Sequence, residues 1–419
     1  MELYVSAGSI DITPEKPVAL FGFAERHGLY SRIHDSLEIN LSALKQDSKL
    51  VLIYSVDTLF TPEDFTKLVL DKFGGAYGLT EKDIWMAATH THFAPSLDKE
   101  KPGLGHFDDA YYNYVADKLL LLTEQVLKAS FTKVSIHYGN SQSVLNVNRR
   151  KKLLRPKPKG KFGLYRKVLM YPDFNGPKDK NIHTIKLVGE DGKTKMVLWN
   201  YACHPVGFVH RSQVTSEFIG VIRDEMRAHY KHPKMPVVFL LGFAGNLKPD
   251  VTPVTHTRLK DKIRYFFQLG PEHTRFPNTD AYMDWAEMLW KEVKEALHHA
   301  DEISGTTITT SKNEIPLNEI IGDHTFPVHF YKLKLADELQ FIGVSAEVLV
   351  EYKDIVKEAL KGQPSINVGC LAGTHIYLPT DKHVKEGGYE VHWFQHRFAI
   401  VGEFKNNLND KIKAAVAQL

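Results

Sequence analysis

The stretch IWMAATHTHFAPS, residues 84–96, decides how the rest of the chain is read. Five apolar residues, Ile84 to Ala88, run into Thr89-His90-Thr91-His92 and turn at Pro95. A short apolar run closed by polar residues has the length and content of a buried strand. Side chains at i and i+2 of an extended segment leave on one side, so His90 and His92 are expected to face one cavity. Two imidazoles placed so are either metal ligands or strand-end polar residues with ordinary hydrogen bonds.

The same ending recurs along the chain. The run 51–56 stops at Asp57, and 196–199 leads into Asn200-Tyr201-Ala202-Cys203-His204-Pro205. The run 237–241 meets Gly242-Phe243-Ala244-Gly245-Asn246, and 341–344 meets Ser345-Ala346-Glu347. Helical patterns lie between, at 62–72 with Thr61 as cap, 109–128, 217–230, 280–299 and 348–360. Strands alternating with helices predict an α/β fold, with mixed sheet flanked by helices and the site at the carboxyl ends of strands. No Gly-, Ser- or Pro-rich linker divides the sequence, which predicts one domain over 1–419.

Composition narrows the class. The chain has 419 residues, 43% hydrophobic and 25% charged, as a globular protein does. A net charge of +3 selects no partner. The two cysteines, Cys203 and Cys370, make no disulfide framework. No stretch approaches the roughly 20 apolar residues of a membrane helix, and MELYVSAGSIDITP has no signal-peptide pattern. A soluble, cytoplasmic protein is the default expectation. Residues 149–167 hold ten Lys or Arg and no acid, and their Pro and Gly predict a solvated loop. Without an aromatic platform that run does not point to nucleic acid. Residues 253–280 match no landmark, and ordinary core is the first reading of their aromatics, ahead of a partner surface or a lid.

His90, His204 and Glu347 together supply the His, His and carboxylate set of many hydrolytic zinc sites, whose fourth position stays open to water. Taken singly, His204 reads as a turn histidine and Glu347 as an acid at a helix start. Asp57 either orients a ligand histidine through its other nitrogen or caps the following helix, with equal support.

Eight stretches occur in the order of the neutral/alkaline ceramidase family's catalytic domain. They are AGSIDITP (7–14), RIHDSLEINLSAL (32–44), THTHFAPS (89–96), NVNRR (146–150), NYACHP (200–205), GFAGNLKPD (242–250), VSAE (344–347) and YLPTDKHVKEGGYE (377–390). The chain resembles that family, which implies an amidohydrolase with one zinc ion per chain, whose metal-bound water attacks an N-acyl amide. By motif, the resemblance makes His90, His204, Glu347 and Tyr377 the zinc ligands. It makes His92 the catalytic histidine near the metal water and Arg149 a substrate-facing arginine. Tyr377 reads otherwise as a core tyrosine with a satisfied hydroxyl.

Three departures qualify the substrate. Where the family has a GD-x-SPN stretch, this chain has Gly245-Asn246-Leu247-Lys248-Pro249-Asp250, so Asn246 replaces the acid and Lys248 the serine. The sequence ends soon after GGYE, without room for the immunoglobulin-like domain of long ceramidases, and shows no secretory signal. The expected partner is a small N-acylated molecule, with an anionic group favoured by Lys248 and the basic run. Two rivals remain, another metal-dependent esterase or phosphoesterase, and a non-catalytic binding protein of the same fold. The first would want further His or Asp ligands after Asn246, where Leu247-Lys248-Pro249 offers none.

Overall fold

The computed structural model describes residues 2–156, 162–255, 259–266 and 275–419. Among these, the largest sheet has nine strands. Its order runs Val237–Leu241, Thr194–Tyr201, Asn181–Gly189, Thr132–Gln142, Leu3–Asp11, Glu38–Gln46, Lys49–Val56, Ile84–Ala88, with Asp301–Ile303 added beside Thr132–Gln142. Pairing is antiparallel through the middle and parallel at the two outermost pairs, 194–201 with 237–241 and 49–56 with 84–88. The α/β expectation is met: the sheet is mixed and helices cover it.

Alternation assigns each side chain to a layer. From the strand Lys49–Val56, Leu52, Tyr54 and Val56 join a core with the helix Asp109–Lys128, while Val51 and Ile53 join a core on the opposite face. That second core is shared with a four-stranded sheet, Thr306–Pro316, Pro327–Ala336, Leu339–Val344 and Ile366–Val368. Trp85 meets Tyr331 and Phe341 there, with ring centroids 6.0 and 6.3 Å apart. The outer face of the smaller sheet packs on Tyr352–Ala359 and Leu408–Ala417. The order of layers is helix, sheet, sheet, helix, and strands buried on both faces explain why the runs are apolar at successive positions.

The seam of the large sheet closes through side chains and one short segment. Asn40 Oδ1 accepts from Val237 N at 3.1 Å, and Ser55 Oγ accepts from Phe239 N at 3.2 Å. Residues 369–372 bridge the two outer strands, with Gly369 N donating to Leu241 O, Ala88 N to Cys370 O and Ala372 N to Met86 O. The turns that follow Ala88 and Leu241 are thereby brought side by side.

Helix ends follow local chemistry. Asp108 caps Asp109–Lys128 by accepting from Tyr111 N, and Asn278 caps Thr279–His298 by accepting from Ala281 N. Glu217–His229 runs as expected. Three expectations are corrected. Thr61 caps nothing: its hydroxyl donates to Met86 O, and Glu63–Val69 starts after Pro62. The last predicted helix begins only at Tyr352, because Glu347–Val348 pairs as a strand with Tyr377–Leu378. The basic run is a hairpin, Asn146–Pro156 against Leu164–Asp173, with Arg150 opposite Met170 and Lys152 opposite Val168. Its tip, 157–161, lies outside the described residues, as do 256–258 and 267–274 of the stretch 253–280. No helix among the described residues is long and apolar enough to cross a membrane.

Candidate metal centre

His90, His92 and His204 form the one group among the described residues whose donor atoms lie close enough together to hold a metal ion, all within 4.8 Å of one another. The route to this cluster differs from the spacing argument. The strand stops at Ala88, and His90 stands in the left-handed region with φ 68°. A non-glycine residue there costs on the order of 1–3 kcal/mol. The conformation is held by Thr89 N and His90 N, which donate to Val56 O and Thr58 O across the adjacent strand end. His90 and His92 thus converge through a kink rather than through extended i, i+2 geometry, and their ring centroids lie 5.2 Å apart.

His204 arrives from the far side of the sheet, three residues past the strand Thr194–Tyr201. Its Nε2 lies 3.0 Å from Nε2 of His90. Glu347 enters from the short strand Glu347–Val348, and its Oε2 stands 3.3 Å from His90 Nε2 and 3.6 Å from His204 Nε2. A tetrahedral zinc with ~2.0–2.1 Å bonds keeps its donors about 3.3 Å apart, and these three separations bracket that value.

Proton positions follow from the outer partners. Nδ1 of His90 faces Leu59 O at 2.8 Å, Nδ1 of His204 faces Ala244 O at 3.2 Å, and Nδ1 of His92 faces Gly22 O at 2.9 Å. A carbonyl only accepts, so each ring carries its proton on Nδ1 and turns a bare Nε2 inward. His92 Nε2 and Glu347 Oε2 are buried and accept no hydrogen bond. Four lone pairs therefore face one small space, an arrangement that calls for positive charge. The electrostatics agree. Burial holds His92 and His204 well below the usual histidine range, with the charges of His90 and Arg149 adding to it. At His90 burial is outweighed by the Cys370 sulfur and the Glu347 carboxylate, which raise it to about 10. A proton on His90 and a metal cation answer the same need.

Tyr377 is the cross-strand partner of Glu347, and its hydroxyl hydrogen-bonds that carboxylate. Burial pushes the phenol well above its ordinary value, keeping it protonated. Arg149 Nη2 donates to the Tyr377 hydroxyl at 3.2 Å and to Gly245 O at 2.8 Å, while its Nε donates to Glu390 Oε1 at 3.1 Å. Arg150 Nη1 donates to Glu390 Oε2 at 2.5 Å, so one buried acid orients two consecutive arginines. Gly245 is required here, since a Cβ would meet Glu347 O at 2.8 Å.

The remaining expected residues stand apart from the ion-sized space. Asp57 accepts from Arg223 Nη1 and from Glu38 N, both at 2.8 Å, and the Nδ1 atoms it was expected to orient are taken by carbonyls. Neither expectation for it holds, orienter or helix cap. Asn246 ties the turn after Leu241 to the turn after Glu347, donating to Glu351 Oε2 and accepting from Val350 N, both at 2.9 Å. Lys248 is buried on the strand Leu247–Pro249, and burial lowers it to about 8 against the opposing charges of Asp250 and Cys203.

Sequence reading gave no role to Glu390 or Gly22. The signal for Glu390 was present: adjacent arginines at 149 and 150 entering a core need an acid, and GGYE supplies one. Gly22 carries φ 105°, and a Cβ on it would stand 2.7 Å from His92 Nδ1, a closeness that sequence spacing does not reveal. A separate cleft of about 280 Å³, lined by Glu63, Asp98, Glu100 and His375, contains none of the clustered histidines.

No protein-family profile and no curated protein sequence matches the chain. Solved structures do. Neutral ceramidase from Pseudomonas aeruginosa superimposes with a TM-score of 0.74 at 14% identity, covering 100% of this chain and 74% of that one. A ceramidase complexed with C2 gives the same TM-score and coverage at 13% identity. The fold is that of neutral ceramidase.

Proposed function

We propose that this ceramidase-like chain is a zinc-dependent hydrolase of linear N-acyl amides, with His90, His204 and Glu347 as metal ligands and Tyr377 beside them. The observation that supports it most is the set of bare Nε2 and Oε2 atoms turned towards one another at 3.0, 3.3 and 3.6 Å. A zinc ion held there supplies Lewis acidity towards a carbonyl and a hydroxide nucleophile near neutral pH.

The chain's own groups do the rest. Carbonyls of Leu59 and Ala244 fix the tautomer and the aim of the two histidine ligands. His92 is anchored by Gly22 O and keeps its Nε2 free and unprotonated. It accepts a proton at Nε2 as the nucleophile forms and returns it to the leaving amine nitrogen. The Tyr377 hydroxyl and the Arg149 guanidinium, already linked, stabilise negative charge growing on the carbonyl oxygen. Burial of all these groups strengthens each interaction.

The test joins metal analysis to a hydrolysis screen of N-acylated amides with and without chelator. The expected result is about one zinc per chain and amide cleavage that chelator abolishes and zinc restores. Activity untouched by chelator, or metal content unchanged in His90→Ala and His204→Ala, would overturn the proposal. Two metals per chain with phosphate-ester turnover would favour a phosphoesterase instead.

A further inference from the structure

Two runs of aromatic and cationic contacts lead away from the cluster and meet at Glu25. Phe23 lies against His92 with ring centroids 5.1 Å apart, and Arg211 sits over the Phe23 ring at 4.4 Å. In the second run Tyr389 packs on Tyr377 at 5.6 Å, and Arg397 lies over the Tyr389 ring at 5.4 Å. Glu25 joins the two halves, with its carboxylate 3.6 Å from Arg211 and 3.9 Å from Arg397. Those separations exceed hydrogen-bond length, so the bridge is loose. The acid is also the most exposed member, at 74% against 38% and 33% for the two arginines, and so exposed an ion pair holds its acid weakly.

More positive charge stands behind this pair. Arg26 is mostly buried, donates to His92 O at 3.0 Å and Arg211 O at 2.8 Å, and so fixes the Arg211 backbone relative to the cluster. Burial and the charge of Arg275 lower Arg211, against the opposing charge of Glu25. Each guanidinium lies against an aromatic face, and Arg211 Nη1 and Arg397 Nη2 approach the two oxygens of one carboxylate, that of Glu25, a pairing suited to a planar carboxylate or a phosphate. A neutral headgroup has no use for two such cations.

We infer that Arg211 and Arg397 form an anion clamp over the metal centre, which selects N-acyl substrates whose amine half carries a carboxylate or another oxyanion a few bonds from the amide. The Glu25 carboxylate occupies the clamp in the free protein and swings into solvent when a substrate anion replaces it. The clamp deepens the amidohydrolase proposal and rests on it for the position of the amide.

Binding of two amide isosteres that resist hydrolysis separates the two ideas. Titration calorimetry on the metal-loaded chain would compare an N-alkylsulfonyl β-alanine with the matching N-alkylsulfonyl 3-aminopropanol. The acid should bind about tenfold tighter than the alcohol, and the ratio should fall below about threefold in the Arg211→Gln/Arg397→Gln double variant. Because the ratio compares two ligands on one preparation, partial unfolding cancels from it. Glu25→Gln should tighten the acid severalfold more than the alcohol; a purely structural bridge would loosen both. Equal binding of acid and alcohol by the wild type, a ratio that survives the double variant, or no detectable binding of the acid each overturns the clamp, even if neutral amides are hydrolysed. A clear acid preference in a chain that cleaves no amide leaves the clamp standing and removes the hydrolase proposal.

Discussion

His90 and His204 approach nitrogen to nitrogen at 3.0 Å while each Nδ1 serves a carbonyl, so that a further proton on His90 or a cation must lie between them. Two bare imidazole lone pairs would repel at that distance without such a charge, and the chain accepts a left-handed backbone at His90 to bring them there. Backbone strain and a demand for positive charge at one point mark a position shaped for a ligand rather than for stability.

Metal removal should therefore destabilise the fold. A ligand at 100 times its dissociation constant adds ~2.7 kcal/mol to the native state, so chelation should lower Tm by a few degrees and zinc should restore it. Differential scanning calorimetry before and after chelation measures the shift. An unchanged Tm in a protein that had carried metal would show that the ion does not favour the folded state, against a site built by the fold.

Gly22→Ala tests how tightly His92 is aimed. The added Cβ would lie 2.7 Å from Nδ1, at a φ of 105° that alanine resists. Displacing the ring should lower kcat by about 10²-fold while zinc content stays near one per chain. Zinc content and kcat measured on one preparation distinguish this from general damage, and full activity would remove His92 from the proton path.

Glu390→Gln tests the buried arginine pair. Removing the charge leaves Arg149 and Arg150 buried and under-compensated, at a cost of about 3–5 kcal/mol. Urea unfolding should show a midpoint reduced accordingly. A loss under about 1 kcal/mol would mean that other groups carry the pair.

Glu217 gives a pH signature. Burial raises its carboxyl from 4.5 to about 7, although the Tyr282 hydroxyl and the Phe208 N–H both donate to it. The folded state then holds more protons than the unfolded state between about 4.5 and 7, so this group favours folding increasingly as pH falls through that window. Glu217→Gln should lose that contribution, on the order of 1–2 kcal/mol between pH 7.5 and 5.5. Urea midpoints of wild type and variant at both pH values measure it, and the other titrating groups drop out of the comparison. Identical pH responses would show that Glu217 ionises normally in the folded chain.

The elements that could be read from sequence were those governed by short-range pattern. Runs such as 84–88 and 237–241 became strands with those limits, because burial on both faces demands unbroken apolarity. The helix 109–128 was equally plain from its periodicity, and the structure adds the aspartate that caps it. Long-range pairing was not visible. Glu347 reads as a helix-start acid until Tyr377 is seen pairing beside it, and the loop expected of 149–167 becomes a hairpin because the prolines and glycine lie only from Pro156 onwards. The motif order suggested His90, His204, Glu347 and Tyr377 as neighbours. That Asp57 turns to Arg223 instead follows from a guanidinium 166 residues away.

The side-chain seam of the large sheet has a consequence for how much change the fold tolerates there. The N–H groups of Val237 and Phe239 are sealed inside the molecule, beyond the reach of water, and Asn40 and Ser55 are the groups that satisfy them. Exchanging Ser55 for valine would orphan an enclosed amide, and a lowered melting point, ahead of any loss of chemistry, would be its first symptom.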